Sequence, residues 1–374
     1  MSAPIRLRLI HETNPAKYFP ALYDLAREGR VQLTGAHRYS VVKEWLRAWR
    51  RDRTPPGVRT ANAWHDLLFR LSLPGVRGEV VVMGFAPWDW RLLIYRGLAR
   101  RNRILYHTSW HDWGLERTPR QPRPAALKRW LQGRWLAFLR HPNVTTVAVT
   151  PVVAEAVRAA AGVEARVIPH AVPAVFFEAG ARHAPRQAPG LRLLYVGEIS
   201  EKKGIGTLLE MMPQLAGQGI RLTVVGNGPL AGAVEAAAAD PAAGLTFLGP
   251  VMDRAKLAGI MAEHDILMLL SRKTETWEEL FGIVVVEALA AGLAVIASDH
   301  VGPRGILHPA GGAGLFPQDD TAAIASELAA LATDPARLSA LRQRQAPVAR
   351  AYGIAEVAAD WDDTVRAAWK GMDV

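Results

Sequence analysis

Apolar residues in this chain gather in short runs separated by longer amphipathic stretches, and the alternation recurs from one end to the other. Ile5 to Ile10 alternates with the period of a strand, Lys17 to Arg27 has helical spacing, and Val31 to Gly35 is a second strand candidate. Glu79 to Gly84, Arg103 to Ser109 and Val144 to Thr150 are compact runs of strand length, whereas Trp90 to Arg101 and Pro151 to Ala161 read as helices. Thr150 and Pro151 supply a start signal for the latter. After a strand at Arg166 to Pro173 the pattern begins again, with a strand at Leu191 to Gly197, a helix from Ile205, and a strand from Arg221 into the turn Gly226-Asn227-Gly228-Pro229. Leu245 to Gly249, Asp265 to Ser271 and Leu293 to Ala297 are further strands. Asp253 to Glu263, Phe281 to Ala291 (ended by Gly292), Pro335 to Ala346 and Ile354 to Trp369 are further helices. Strand, loop, helix, strand is an α/β unit, so the expected class is α/β.

Length decides how many such units there are. With 374 residues, half of them apolar, the chain exceeds what one core usually accommodates, and two domains follow. Residues 178–190, rich in Ala, Arg, Pro and Gly, are the clearest linker, which separates domains at 1–177 and 191–350 from a terminal segment at 351–374. The absence of Cys excludes disulfides, thiolate nucleophiles and Cys-based zinc sites. The opening residues lack the apolar stretch of a signal peptide, and no uncharged run approaches the roughly 18 to 20 residues a spanning helix needs. A cytoplasmic protein is the expectation.

Charge changes the picture more than composition does. Of the net +10, residues 1–150 hold 26 Lys and Arg against 10 Asp and Glu, while the remainder holds 19 against 25. A basic first half should meet an anionic surface or acceptor. Two segments combine this charge with aromatics: Lys43 to Arg51, with Trp45 and Trp49, and Leu127 to Arg140, with Trp130 and Trp135. Each fits a helix lying on the inner face of an anionic membrane, and each also fits an ordinary helix that packs its Trp inward. No nucleic-acid recognition motif is present, so nucleic acid is not an expected partner.

The densest chemistry lies in Glu279 to Glu287. Glu279 falls on the loop beyond a strand's carboxyl end, where open α/β sheets hold ligands, and the helix start offers N–H groups of Gly282 and Ile283 to an anion or a hydroxyl oxygen. Glu287 sits inside an otherwise apolar helix and needs a partner, because an unpaired buried carboxylate is costly. A sugar diol is one candidate. His107 ends a strand; His111 follows four residues later, but on strand and loop with no third ligand evident, so a metal is not expected. The turn at Gly226 is not the dinucleotide pattern, and no phosphate-binding G-x-x-x-x-G-K-[ST] occurs. Asp360-Trp361-Asp362 lies on a helix and reads as a solvated face.

Glu279-Leu280-Phe281-Gly282-Ile283-Val284-Val285-Val286-Glu287-Ala288 resembles the E-x7-E signature of glycosyltransferase family 4. Those are retaining enzymes of GT-B architecture, with two Rossmann-like domains facing a central cleft, that take a sugar from a nucleotide donor. The resemblance implies that Glu279, Phe281, Gly282 and Ile283 meet the donor sugar, that Glu287 holds the ribose hydroxyls, and that Gly197, Lys203 and Gly204 bind the diphosphate. It also puts Gly226 close to the donor in a Val-Gly-x-Gly-Pro turn and Val251 beside the nucleobase. Glu198 departs from the family, which has Arg there; Arg272, Lys273 or Lys202 could compensate it. The loop Ser271 to Glu279 is longer than in relatives, and Gly302-Pro303-Arg304-Gly305 replaces their Gly-Gly-x-x-Glu. His107-Thr108-Ser109 resembles the segment of bacterial phosphatidylinositol mannosyltransferases whose His faces the donor sugar, and in GT-B proteins the last helix often crosses back onto the first domain. The implied activity is retaining, metal-independent transfer of a hexose to a lipid-linked, glycolipid or polysaccharide acceptor, with catalytic roles for His107, Lys203 and Glu279 and no cofactor. A non-catalytic nucleotide-sugar binder and a GT-B sugar-nucleotide epimerase are the alternatives.

Overall fold

The computed structural model describes residues 4–12, 15–38, 56–111, 113, 124–182, 190–274 and 277–372. The chain divides into two compact units, Met1–Ala171 with Ile354–Val374, and Val172–Gly353. Each is an α/β unit around a six-stranded, all-parallel sheet.

In the first unit the strands are β1 (Ile5–His11), β2 (Val31–Arg38), β3 (Val80–Gly84), β4 (Arg103–Thr108), β5 (Val144–Ala148) and β6 (Ala165–Val167), in the spatial order β2-β1-β3-β4-β5-β6. Every residue of β3 is buried, as a central parallel strand covered on both faces requires. In the second unit β7 (Leu191–Glu198), β8 (Ile220–Asn227), β9 (Leu245–Gly249), β10 (Ile266–Leu269), β11 (Ala294–Ser298) and β12 (Leu315–Phe316) follow the order β12-β11-β10-β7-β8-β9.

Local chemistry explains where the elements begin and end. The side chain of Thr150 accepts a hydrogen bond from the Val153 amide, Pro151 opens the helix Pro151–Ala161, and Gly162 closes it in the left-handed region. The expected helix Lys17 to Arg27 is broken at Phe19, since the residue before a proline is pushed out of the α region; a single turn, Pro15–Tyr18, precedes the helix Pro20–Arg27. Trp90 to Arg101 is likewise a single turn, Leu92–Tyr95, continued by a 3-10 segment at Arg96–Arg100.

Several other expectations are corrected. The helix Ala174–Ala181 occupies the start of the stretch read as a linker and counts with the second unit. Gly180 there fits so closely against Ala290 that a Cβ would lie 2.1 Å from its carbonyl oxygen. Trp135 is no interfacial residue: it is fully buried in the helix Ala125–Leu139, and its indole N–H donates to the Asp89 carbonyl at 3.0 Å. The inward-packing alternative holds for that Trp, whereas Trp130 on the same helix is exposed. Trp45 and Trp49 lie outside the described residues. Asp360-Trp361-Asp362 is not a solvated face either. Only Asp360 is exposed; Trp361 packs into the core of the first unit, and Asp362 is buried as a partner of Arg30 and Arg366 on the helix Ile354–Lys370.

Candidate functional site

In the second sheet β7 and β10 are neighbours although two strands separate them in sequence, and the order runs away from them in opposite directions. Such a reversal opens a crevice at the carboxyl ends of the two strands. The loops that leave those ends carry Glu198 to Gly204 on one side and Leu270 to Gly282 on the other. They touch closely: a Cβ on Gly204, which has φ 75°, would lie 1.7 Å from the Leu270 carbonyl oxygen, so only glycine fits.

Charged groups are brought together across this junction. The Lys203 ammonium pairs with the Glu279 carboxylate, to which the Ser271 hydroxyl donates at 3.3 Å. The Lys203 nitrogen also stands 4.8 Å from the centre of the Trp277 ring, and that of Lys202 5.5 Å. Of the three cations able to compensate Glu198, Lys202 does so, at 2.9 Å. Arg272 turns to Asp319 at 3.2 Å and Lys273 to Glu278 at 2.8 Å. His300 is buried nearby; burial lowers its imidazole pKa below the ordinary value, while the Glu278 and Glu279 charges pull the other way.

Glu287 is the fifth residue of the helix Ile283–Ala290, which begins two residues after the expected start at Phe281, because Gly282 at φ 77° caps the helix and Phe281 stays outside it. The partner that the fold supplies to this buried carboxylate is Arg254, whose guanidinium carbon also lies 4.7 Å from the Phe176 ring centre. Phe281 is buried edge-on against Tyr352. Gly197 and Gly226 are register partners at the ends of β7 and β8, and a Cβ on Gly226 would lie 1.9 Å from the Gly197 carbonyl oxygen. Val251 follows β9 and is half-buried. The sequence reading missed Arg254, Trp277 and His300. Arg254 follows the capping Asp253 with no local sign of its role, and Trp277 lies in the lengthened loop.

The first unit presents different groups at its carboxyl edge. His11 ends β1 and His107 is the fifth residue of β4; both are buried, as is His170 beyond β6. The rings of His107 and His170 are 5.5 Å apart, His11 stacks on Tyr18 at 4.2 Å, and Phe19 stands edge-on to His107 at 5.0 Å. Burial first, then the neighbouring His170 and His11, hold the His107 pKa well below the usual histidine value. A neutral imidazole there can donate from one nitrogen and accept at the other, which suits hydroxyl groups. His111 is described, but the residues around it are largely outside the described set.

Residues 190–334 match the family model described as Glycosyl transferases group 1. A phosphatidyl-myo-inositol mannosyltransferase of Mycobacterium tuberculosis is 36% identical over 163 residues, which are 43% of this chain and 42% of that protein. The alignment thus spans about two fifths of the curated relative's length. Among solved structures, sucrose-phosphate synthase from Thermosynechococcus elongatus superposes with TM-score 0.67 at 17% identity, covering 98% of this chain and 100% of that one. Anabaena Alr3699/HepE in complex with UDP gives 0.64 at 13% identity, covering 97% and 100%. These likenesses show the fold, a two-domain α/β protein of GT-B architecture, while the family match is confined to residues 190–334 of the second unit.

Proposed function

We propose that this GT-B, family 4-like chain is a retaining, metal-independent glycosyltransferase that moves a hexose from a nucleotide-diphosphate sugar to a lipid-linked, glycolipid or polysaccharide acceptor. The observation that carries the proposal is the Lys203–Glu279 pair at the junction of β7 and β10, inside the segment that matches the family model. A lysine held on a carboxylate can turn to a diphosphate, whose charge grows as it leaves, and the amides of Gly282 and Ile283 open onto the same loop.

In this reading the acceptor hydroxyl attacks the anomeric carbon on the face the diphosphate leaves. The new C–O bond forms as the bond to the leaving oxygen breaks, and the hydroxyl proton passes to that oxygen. The products are a glycoside of unchanged anomeric configuration and a nucleoside diphosphate. Lys203 stabilises the charge that a divalent ion would otherwise meet, Glu279 orients the sugar, and neutral His107 hydrogen-bonds a hydroxyl without acting as a base. The Lys202–Glu198 pair removes the main electrostatic objection to a diphosphate beside Glu198.

Contact with an anionic membrane is part of the proposal, and its support now lies elsewhere than in Trp135. Trp64, Leu67, Leu68 and Leu71 are exposed on the helix Pro56–Ser72 at spacings that place them on one face. The direct test is to screen UDP-, GDP- and ADP-sugars for binding, then assay transfer to glycolipid and oligosaccharide acceptors. Transfer with retained configuration in the presence of a chelator is expected. Donor binding without transfer to any acceptor would reject the reading, and release from phosphatidylglycerol vesicles on Leu68→Glu with Leu71→Glu is the expected sign of the membrane face.

A further inference from the structure

The amino-terminal edge of the first sheet carries a second collection of charge, remote in topology from the histidines at the carboxyl edge. All six strands of that sheet are parallel, so Arg6 near the start of β1, Arg77 ahead of β3, and Arg100, Arg101 and Arg103 at the entry to β4 fall on one edge. These five arginines, with the half-buried indole of Trp369, line a cavity of about 700 Å³. Pockets that enclose a small organic ligand span about 300–1,000 Å³, so the space is far more than a single phosphate needs.

The arginines are not there merely to satisfy the protein. Arg6 pairs with Glu79 at 3.0 Å, but Glu79 also takes Arg8 at 2.7 Å, so one negative charge serves two guanidiniums. Arg101 donates to the Pro74 carbonyl at 3.0 Å and Arg103 to that of Pro142 at 3.2 Å, contacts that use donors and cancel no charge. Arg77 and Arg100 are exposed. None of the described lining residues is an acid. Guanidiniums present paired N–H donors in a plane that matches phosphate oxygens, and a lining dominated by them selects for multiple negative charge. Trp369 adds a flat apolar wall, suited to a ring or a hydrocarbon portion of the same ligand.

We propose that this cavity binds a phosphorylated ligand carrying at least two phosphate groups, either a soluble molecule or the headgroup of a diphosphate lipid. The site belongs to the first unit alone and is independent of the donor chemistry of the second. Inorganic pyrophosphate is the probe, titrated calorimetrically at low ionic strength into the wild type, into Arg77→Ala/Arg100→Ala, and into Lys203→Ala as a control for the second unit. The Lys203→Ala protein is expected to retain a binding event that the arginine pair weakens about tenfold or more, with unchanged thermal melting. Equal binding in the wild type and the arginine variant, or complete loss on Lys203→Ala, would overturn the proposal. Vesicles of phosphatidylcholine with cardiolipin then separate the sources. Binding that the arginine variant weakens and pyrophosphate displaces supports a lipid headgroup, and vesicle binding indifferent to both supports a soluble ligand.

Discussion

The carboxyl edges of the two sheets occupy equivalent places in equivalent parallel architectures, yet the side chains gathered there differ. The second unit places a set of ion pairs there or on the adjoining helices, among them Lys203 with Glu279, Lys202 with Glu198, and Arg254 with Glu287. Among the described residues the first unit gathers imidazoles and aromatic rings at the ends of β1, β4 and β6, with His107 kept neutral by burial and by its fellow histidines, and keeps the buried Asp89–Arg91 pair in the loop beyond β3. Parallel strands decide where loops converge, and the residues on the loops decide what converges. A cluster of cations suits a diphosphate; a cluster of neutral imidazoles suits hydroxyls.

The largest effect is expected at Lys203. Lys203→Ala should lower kcat by about 30- to 1,000-fold, or about 2 to 4 kcal/mol of transition-state stabilisation, read in a donor-turnover assay. Glu279→Ala should also slow turnover markedly, while thermal melting shows both proteins folded. Near wild-type rates in both would strip the second edge of its proposed role.

The histidine cluster is tested by acid. Because the folded-state pKa of His107 is lowered, the unfolded chain binds more protons than the folded one below the ordinary histidine pKa of about 6.5. Stability is therefore fully present above that pH and lost as pH falls through it, with a slope approaching about 1.4 kcal/mol per pH unit from this one group. His264 and His300 in the second unit are lowered too, so the useful quantity is the difference between proteins. Melting of wild type and His107→Phe between pH 5 and 7.5 (from about one and a half units below the ordinary value to about one above it) should show a shallower acid loss in the variant; parallel curves would place the acid sensitivity elsewhere.

The smallest effect is expected at Lys202. Its pair with Glu198 is substantially exposed, a class worth about 0–1 kcal/mol, so stability should hardly change in Lys202→Ala. On the proposed donor site the donor KM should rise severalfold, since Glu198 would then stand uncompensated beside the phosphates, and Lys202→Ala/Glu198→Gln should restore it. A KM that stays raised in the double variant would show that Lys202 acts on the donor directly.

Periodicity and punctuation made the strands and the better-capped helices legible: Pro151–Ala161 is found with the bounds its Thr-Pro start implies, whereas the left-handed turns at Gly204 and Gly282 emerge only in the fold. Resemblance located the matching segment and the GT-B class. What went wrong was a matter of facing. Trp361 lies on a helix whose acidic neighbours suggested exposure, Trp135 on a basic one that left both facings open, and both indoles are core.

The sequence by itself determined what depends on near neighbours along the chain: which stretches are strand or helix, where glycine lets the backbone turn, and that a carboxylate at 287 inside an apolar helix required a partner. Tertiary structure decided who the partners are. Lys203 meets Glu279 across 76 positions, Arg254 meets Glu287 across 33, and His11, His107 and His170 gather from three different strand ends. Parallel pairing joins strands only through long crossovers, so the groups that share an edge are distant in the chain and carry no mutual signal until the sheet is formed.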